Sequence, residues 1–252
     1  MKYLPALLVC LLFSCVCAAK THVEIAEQNA QSVVAVNVVK KDGTTFTGTG
    51  FVVSQNVLIS TSRHVSDNAL FINITFNTGA VSDEAKVAAE SQLVDLALLK
   101  IPAQGLPTVT LGDAQTVLPG QIITVIGNPR RLQNTVSSGL ISQVRKKANG
   151  VIWHQISAPI SPSSSGSPVF NEDGDVISVA FASFKGEGNQ NLNFAVPSNY
   201  LAQLIDKAGY LPPLRPAATP APQNAFVRHI QKSWHIVKGW FGAAPARTAA
   251  DE

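Results

Sequence analysis

"TGTGFVVSQNVLISTSRHV", residues 47–65, is a run rich in Val, Ile, Phe and Thr that ends in a Thr/Ser turn directly before His64. Runs of the same kind lie on both sides of it. They include "SVVAVNVVK" (32–40), "LFINITF" (70–76), "LVDLALLKI" (93–101), "QIITVIGN" (121–128), "SSGLISQVRK" (137–146), "DVISVAFASF" (175–184) and "NLNFAVP" (191–197), with Gly, Asn or Asp between them. The pattern predicts about ten to twelve short strands. Strands at this spacing, without long amphipathic helices between them, imply a barrel or sandwich rather than βαβ units. A break at 102–120 divides the runs into two sets, so the fold expected is all-β: two six-stranded antiparallel β-barrels with a cleft between them. "PSNYLAQLIDKAG" (197–209) predicts a short closing helix, with Pro197 and Ser198 suited to its start and Gly209 to its end.

Composition narrows the function. Of 252 residues 14% are charged and the net charge is only +3, which argues against a disordered chain and a dedicated nucleic-acid binder. There is no HExxH and no cysteine–histidine cluster, and "GTG" at 48–50 lacks the spacing of a phosphate loop. No metal or other cofactor is expected.

The two ends of the chain differ from its body. Residues 1–19 have one lysine, an apolar run and a small-residue end, the layout of a secretory signal. Cys10, Cys15 and Cys17 all lie within it, so cleavage after Ala18 or Ala19 leaves a chain without thiols. The expected location is the bacterial periplasm or the exterior. "LFSC" ending at Cys15 keeps lipoprotein anchoring as an alternative. The domain expected at 20–209 is followed by a Pro/Ala-rich linker at 210–223, a basic amphipathic helix at 224–242 and a disordered tail at 243–252. In that helix Phe226, Ile230, Trp234 and Val237 share one face, with Arg228 and Lys232 opposite. It suits an anionic membrane surface or a protein partner, or docking on its own barrel.

"SPSSSGSPVF" (161–170) puts five serines into ten positions. By composition it is a turn, and it carries chemistry only if a base and an acid accompany it, because a serine hydroxyl is a weak nucleophile alone. His64 follows its strand run directly. Asp95, in "LVDLALLKI", is an acid flanked by apolar residues on both sides.

His64, Asp95 and the serine loop follow one another in the chain order of chymotrypsin-like enzymes. "TGTGFVVSQNVLISTSRHV", "VDLALLKI", "VIGNP", "VSSGLIS", "PSSSGSP", "DGDVISVAFASF" and "NLNFAVPSNYLAQLI" together resemble, in order, the HtrA (Deg) family of serine proteases. The resemblance implies a catalytic triad of His64, Asp95 and Ser165. It also implies an oxyanion hole from the backbone N–H groups of Ser163 and Ser165, and substrate contacts at Ile160, Ser178, Val179, Ala180 and Phe181. The edge of strand 178–184 would take an extended peptide, and the P1 residue would be small or medium-sized and apolar, such as Val, Ala or Leu.

Where the family carries glycine this chain has Ser163, which reaches positive φ only with strain. A weak or inactive homologue that binds peptides, or a membrane-surface adaptor built on the helix, is therefore the alternative to an endopeptidase acting on unfolded polypeptides. No PDZ domain is expected in the remaining residues, and a monomer or weak oligomer is expected.

Overall fold

The computed structural model describes residues 19–128, 134–186 and 189–215, with the backbone alone for 182–186 and 189–191. Residues 1–18 of the expected signal, and the part of the linker beyond 215 with the helix and tail, lie outside the described residues.

The chain enters through α1 (His22–Asn29), whose start is fixed by Thr21 and Glu24 in a reciprocal capping box. The first lobe follows: β1 (Val33–Lys40), β2 (Thr45–Ser54), β3 (Leu58–Ser62), the single turn α2 (Arg63–Ser66), β4 (Ala69–Thr75), β5 (Val81–Ser82), β6 (Lys86–Ser91) and β7 (Leu96–Lys100). The second lobe contains β8 (Ile122–Gly127), β9 (Thr135–Lys146), β10 (Ile152–Ile156), β11 (Pro168–Phe170), β12 (Val176–Gly186) and β13 (Asn189–Pro197). The expected closing helix is α3 (Ser198–Lys207), after which Gly209 takes φ +82°.

Only the second lobe meets the expectation of a six-stranded barrel. It is closed in the order β10-β13-β12-β11-β8-β9, whereas the first is a seven-stranded sheet, β5-β4-β1-β2-β3-β7-β6, with two edges. Those edges are a two-residue strand and a strand whose residues Lys86 to Ala89 include three exposed positions before the half-buried Ala89.

Three apolar cores explain why the sequence runs look as they do. Val34, Val36, Val38, Val52, Ile59 and Leu99 fill the first lobe, and Ile123, Val125, Ile141, Ile156, Val169 and Ala195 fill the barrel. A third core joins the lobes: Phe51, Val53, Leu58, Leu96 and Leu98 meet Phe170, Val176, Val179, Val196 and Leu201. Strands β2, β3 and β7 are thus buried on both faces, which accounts for the unbroken apolar stretches "FVV", "VLI" and "LALL". Burying a side chain of this size contributes about 1.5 to 3 kcal/mol. The interlobe core therefore holds the two sets of strands in fixed relation.

The folded body extends past the expected boundary at 209. Leu111 donates its N–H to Pro213 O (2.6 Å) and accepts from Arg215 N (3.0 Å), while the Arg215 guanidinium pairs with the carboxylate of Asp175.

Candidate active site

His64 sits in α2, immediately after β3, and a turn of four residues cannot cap itself. Asp95 supplies what is missing. It ends the turn at 92–95, just before β7 rather than within a strand, and takes φ +53°. Its carbonyl accepts from Arg63 N (2.9 Å), its Oδ1 accepts from His64 N (2.9 Å), and its Oδ2 lies 2.6 Å from His64 Nδ1. The antiparallel pairing of β3 with β7, Ser62 opposite Leu96, brings the two together.

A carboxylate can only accept hydrogen bonds, so the proton on His64 belongs on Nδ1, and Nε2 carries the free lone pair. Both side chains keep access to solvent, at 40% exposed for His64 and 25% for Asp95. The ring of Phe46 stands edge-on to the imidazole, 6.1 Å between centres, and Lys40 Nζ lies 3.4 Å from His64 O.

The serine loop belongs to the other lobe, yet it is built against the first. The β2–β3 ladder ends at Gly50 opposite Thr61. Just beyond, Thr49 N donates to Ser165 O (2.9 Å) on the side where β3 no longer pairs. Gly166, at φ +90°, is pressed so closely onto β3 that a Cβ there would stand 2.6 Å from Thr61 Oγ1 and 3.0 Å from Ser62 N. At Gly48 a Cβ would meet Val65 at 2.7 Å and Ser165 O at 3.2 Å. Gly166 thus lies close against β3, Gly48 lies close to both Val65 and Ser165, and a Cβ at either position would have to displace its neighbours.

Inside the loop, the N–H groups of Ser164, Gly166 and Ser167 donate to Ser161 O, Ala180 O and Ser164 O, at 2.9, 2.7 and 3.0 Å. Those of Ser163 and Ser165 have no acceptor among the described residues. Ser163 takes φ +75°, the left-handed conformation that glycine adopts without strain. The half-buried Ser165 directs its hydroxyl to Phe181 O (3.4 Å), and among the described residues it makes no hydrogen bond to His64.

The expected substrate residues divide. Ile160 is half-buried and packs on the barrel core, in a stretch held by Asn193 Nδ2 donating to Ala158 O (2.8 Å). Ser178, Val179 and Ala180 are not a free edge. Ser178 and Val179 are flanked by β11 and β13, and Ala180 N and O are taken by Ser167 and Gly166. All three side chains are fully buried. The ladder with β11 stops there, so the edge opens only from Phe181 onward, while the Phe181 ring packs on Trp153 at 4.9 Å.

Ser178 has a different partner: its Oγ lies 2.6 Å from Nδ1 of His154, which is 1% exposed. Burial lowers the pKa of His154 to about 4. Neither this pair nor Thr49 was singled out from the sequence, although the two glycines of "GTG" within a strand mark a place where other parts of the chain approach closely.

An imidazole oriented by an acid on one lobe, with a turn of serines from the other lobe built against the neighbouring strands, is an arrangement that fits a two-lobed serine peptidase. Residues 48–179 match the trypsin-like peptidase domain family, and the chain belongs to it. A probable periplasmic serine endoprotease DegP-like of Halomonas elongata is 34% identical over 164 residues, 64% of this chain and 34% of that protein. An HtrA-type protease solved with a tripeptide superposes with a TM-score of 0.69 at 25% identity, covering 74% of this chain and 63% of that one. The serine endoprotease from Yersinia pestis gives 0.66 at 27% identity, over 76% and 67%. The chain spans about a third of the length of the curated relatives it matches (34% and 35%).

Proposed function

We propose that this protein is an exported serine endopeptidase that cleaves unfolded or extended polypeptides through an acyl-enzyme. The observation that carries the reading is the grip of both Asp95 oxygens on His64, which leaves Nε2 as a base.

In the proposed reaction Nε2 takes the proton of the Ser165 hydroxyl as Oγ bonds the substrate carbonyl carbon. Asp95 stabilises the imidazolium that forms. The N–H groups of Ser163 and Ser165, which have no other acceptor among the described residues, meet the negative oxygen. His64 then returns the proton to the leaving amine as the C–N bond breaks, and water repeats the sequence on the ester. Before this can begin, the Ser165 hydroxyl must leave Phe181 O for Nε2, a tightening that resting hydrolases often defer until substrate binds. The vacated Phe181 O and the edge beyond it would pair with the peptide backbone, and Ile160 would favour a small or medium-sized apolar P1 side chain.

Peptide-bearing HtrA structures and relatives named as periplasmic endoproteases support both the substrate class and export. A peptide-binding protein without turnover is the second reading, favoured by the engagement of Ser165 with Phe181 O.

Incubation with a carboxymethylated, unfolded protein separates the two. The endopeptidase generates new termini, mapped by mass spectrometry, with Val, Ala or Leu at P1, and Ser165→Ala abolishes them. Binding without new termini would establish the second reading.

A further inference from the structure

Thr49 makes more connections between the lobes than its size suggests. It is fully buried, its Oγ1 accepts from Asn128 N (3.0 Å), and it donates to Ser163 O (2.8 Å). A hydroxyl has one proton to give, so the N–H of Asn128, itself 1% exposed, forces that proton toward Ser163. The peptide joining Ser163 to Ser164 is thereby held at both poles. Its carbonyl is bound by Thr49, and its N–H by Ser161 O at 2.9 Å. Thr49 O in turn accepts from Thr61 Oγ1 (2.7 Å), which fixes the strand from which the hydroxyl projects.

A serine at φ +75° persists only where its surroundings over-determine it. With the carbonyl released, Ser163 would relax toward negative φ and its N–H would swing away. We propose that Thr49 is a positioning residue for oxyanion binding, its hydroxyl maintaining Ser163 in the left-handed conformation that leaves the 163 N–H available. This rests on the endopeptidase reading. It assigns to the first lobe a second duty beside the base: shaping the anion site of the other lobe.

The argument predicts a specific suppressor. Glycine reaches φ +75° without strain, so Ser163→Gly should compensate for loss of the Thr49 hydroxyl, whereas general loosening of the fold would not be repaired there.

Peptide hydrolysis by the full chain is measured for the parent, Thr49→Val, Thr49→Ser and the double variant Thr49→Val/Ser163→Gly. The valine variant should lose about 100-fold in kcat with KM within about threefold, the serine variant should stay within about threefold of the parent, and the double variant should regain at least about tenfold. Activity of the valine variant within about threefold of the parent overturns the inference, as does a folded double variant that regains nothing. Should valine prevent folding, Thr49→Ala, which adds no atoms, takes its place in the same comparison.

Amide exchange at Ser164 is read in parallel and needs no turnover. It should quicken at least about tenfold on loss of the hydroxyl, and unchanged exchange overturns the inference even if the parent proves inactive. A parent without turnover but with Thr49-dependent exchange at Ser164 rejects the endopeptidase reading while leaving the anchoring by Thr49 in place.

Discussion

The two halves of the site are finished to different degrees. On the first lobe, Asp95 binds His64 at the backbone and the ring, and the geometry is complete within one pair of antiparallel strands. On the second, Ser165 points its hydroxyl at Phe181 O, and Ser163 is held in a conformation foreign to serine. The imidazole is held by neighbours on its own lobe, while the serine loop is held both by its own barrel and by a strand of the other lobe. Acid–base orientation therefore does not depend on how the lobes meet, but the serine loop does. Damage to the first half should abolish chemistry in an intact fold, and damage to the second should alter placement and stability together.

The largest expected effect tests the finished half. Asp95→Asn presents an amide where Nδ1 needs an acceptor, so the ring can take the wrong tautomer, and kcat should fall about 10⁴-fold with the fold retained. Steady-state kinetics at neutral pH measure this. A loss no greater than that expected for Thr49→Val would erase the distinction between the halves.

A comparison of the two histidines sharpens it. His64 is solvent-accessible and acid-paired, but His154 is sealed in the barrel beside Ser178 with its pKa lowered from 6.5 to about 4. Between those values the unfolded chain binds a proton that the folded chain does not. Stability is then complete above about pH 6.5 and declines by up to about 3 kcal/mol as the pH falls to about 4. Urea unfolding across that range should lose this slope in His154→Leu, and an unchanged slope would remove His154 from the account.

The smallest effect concerns the strained residue. Ser163→Gly should raise stability by about 1 kcal/mol, since glycine has no Cβ to clash at positive φ. The shift in the urea midpoint measures it. A destabilised glycine variant would mean that the serine side chain contributes a contact outweighing its strain.

Much of this was legible in the sequence because it is local. The apolar runs marked the strands, "RHV" and "LVDLALLKI" marked the two residues that pair on the first lobe, and Gly209 marked the end of α3. What could not be read was set by residues far apart in the chain. The first lobe is an open sheet whose outer strands β5 and β6 do not pair, and "KVAAES" carried no strand signal. Ser178, Val179 and Ala180 resemble a peptide edge until β11 and Gly166 are seen to occupy it. The strain at Ser163 was anticipated from its chemistry, but its anchor was not: Thr49 lies 114 residues away, and nothing in "GTG" specifies the carbonyl its hydroxyl meets.

Labelling with a fluorophosphonate tests most directly whether the two halves form one reacting site. The account predicts a single adduct on Ser165, formed at least about 1,000-fold more slowly in His64→Ala. No adduct on Ser165, or one that forms equally fast without His64, would contradict it.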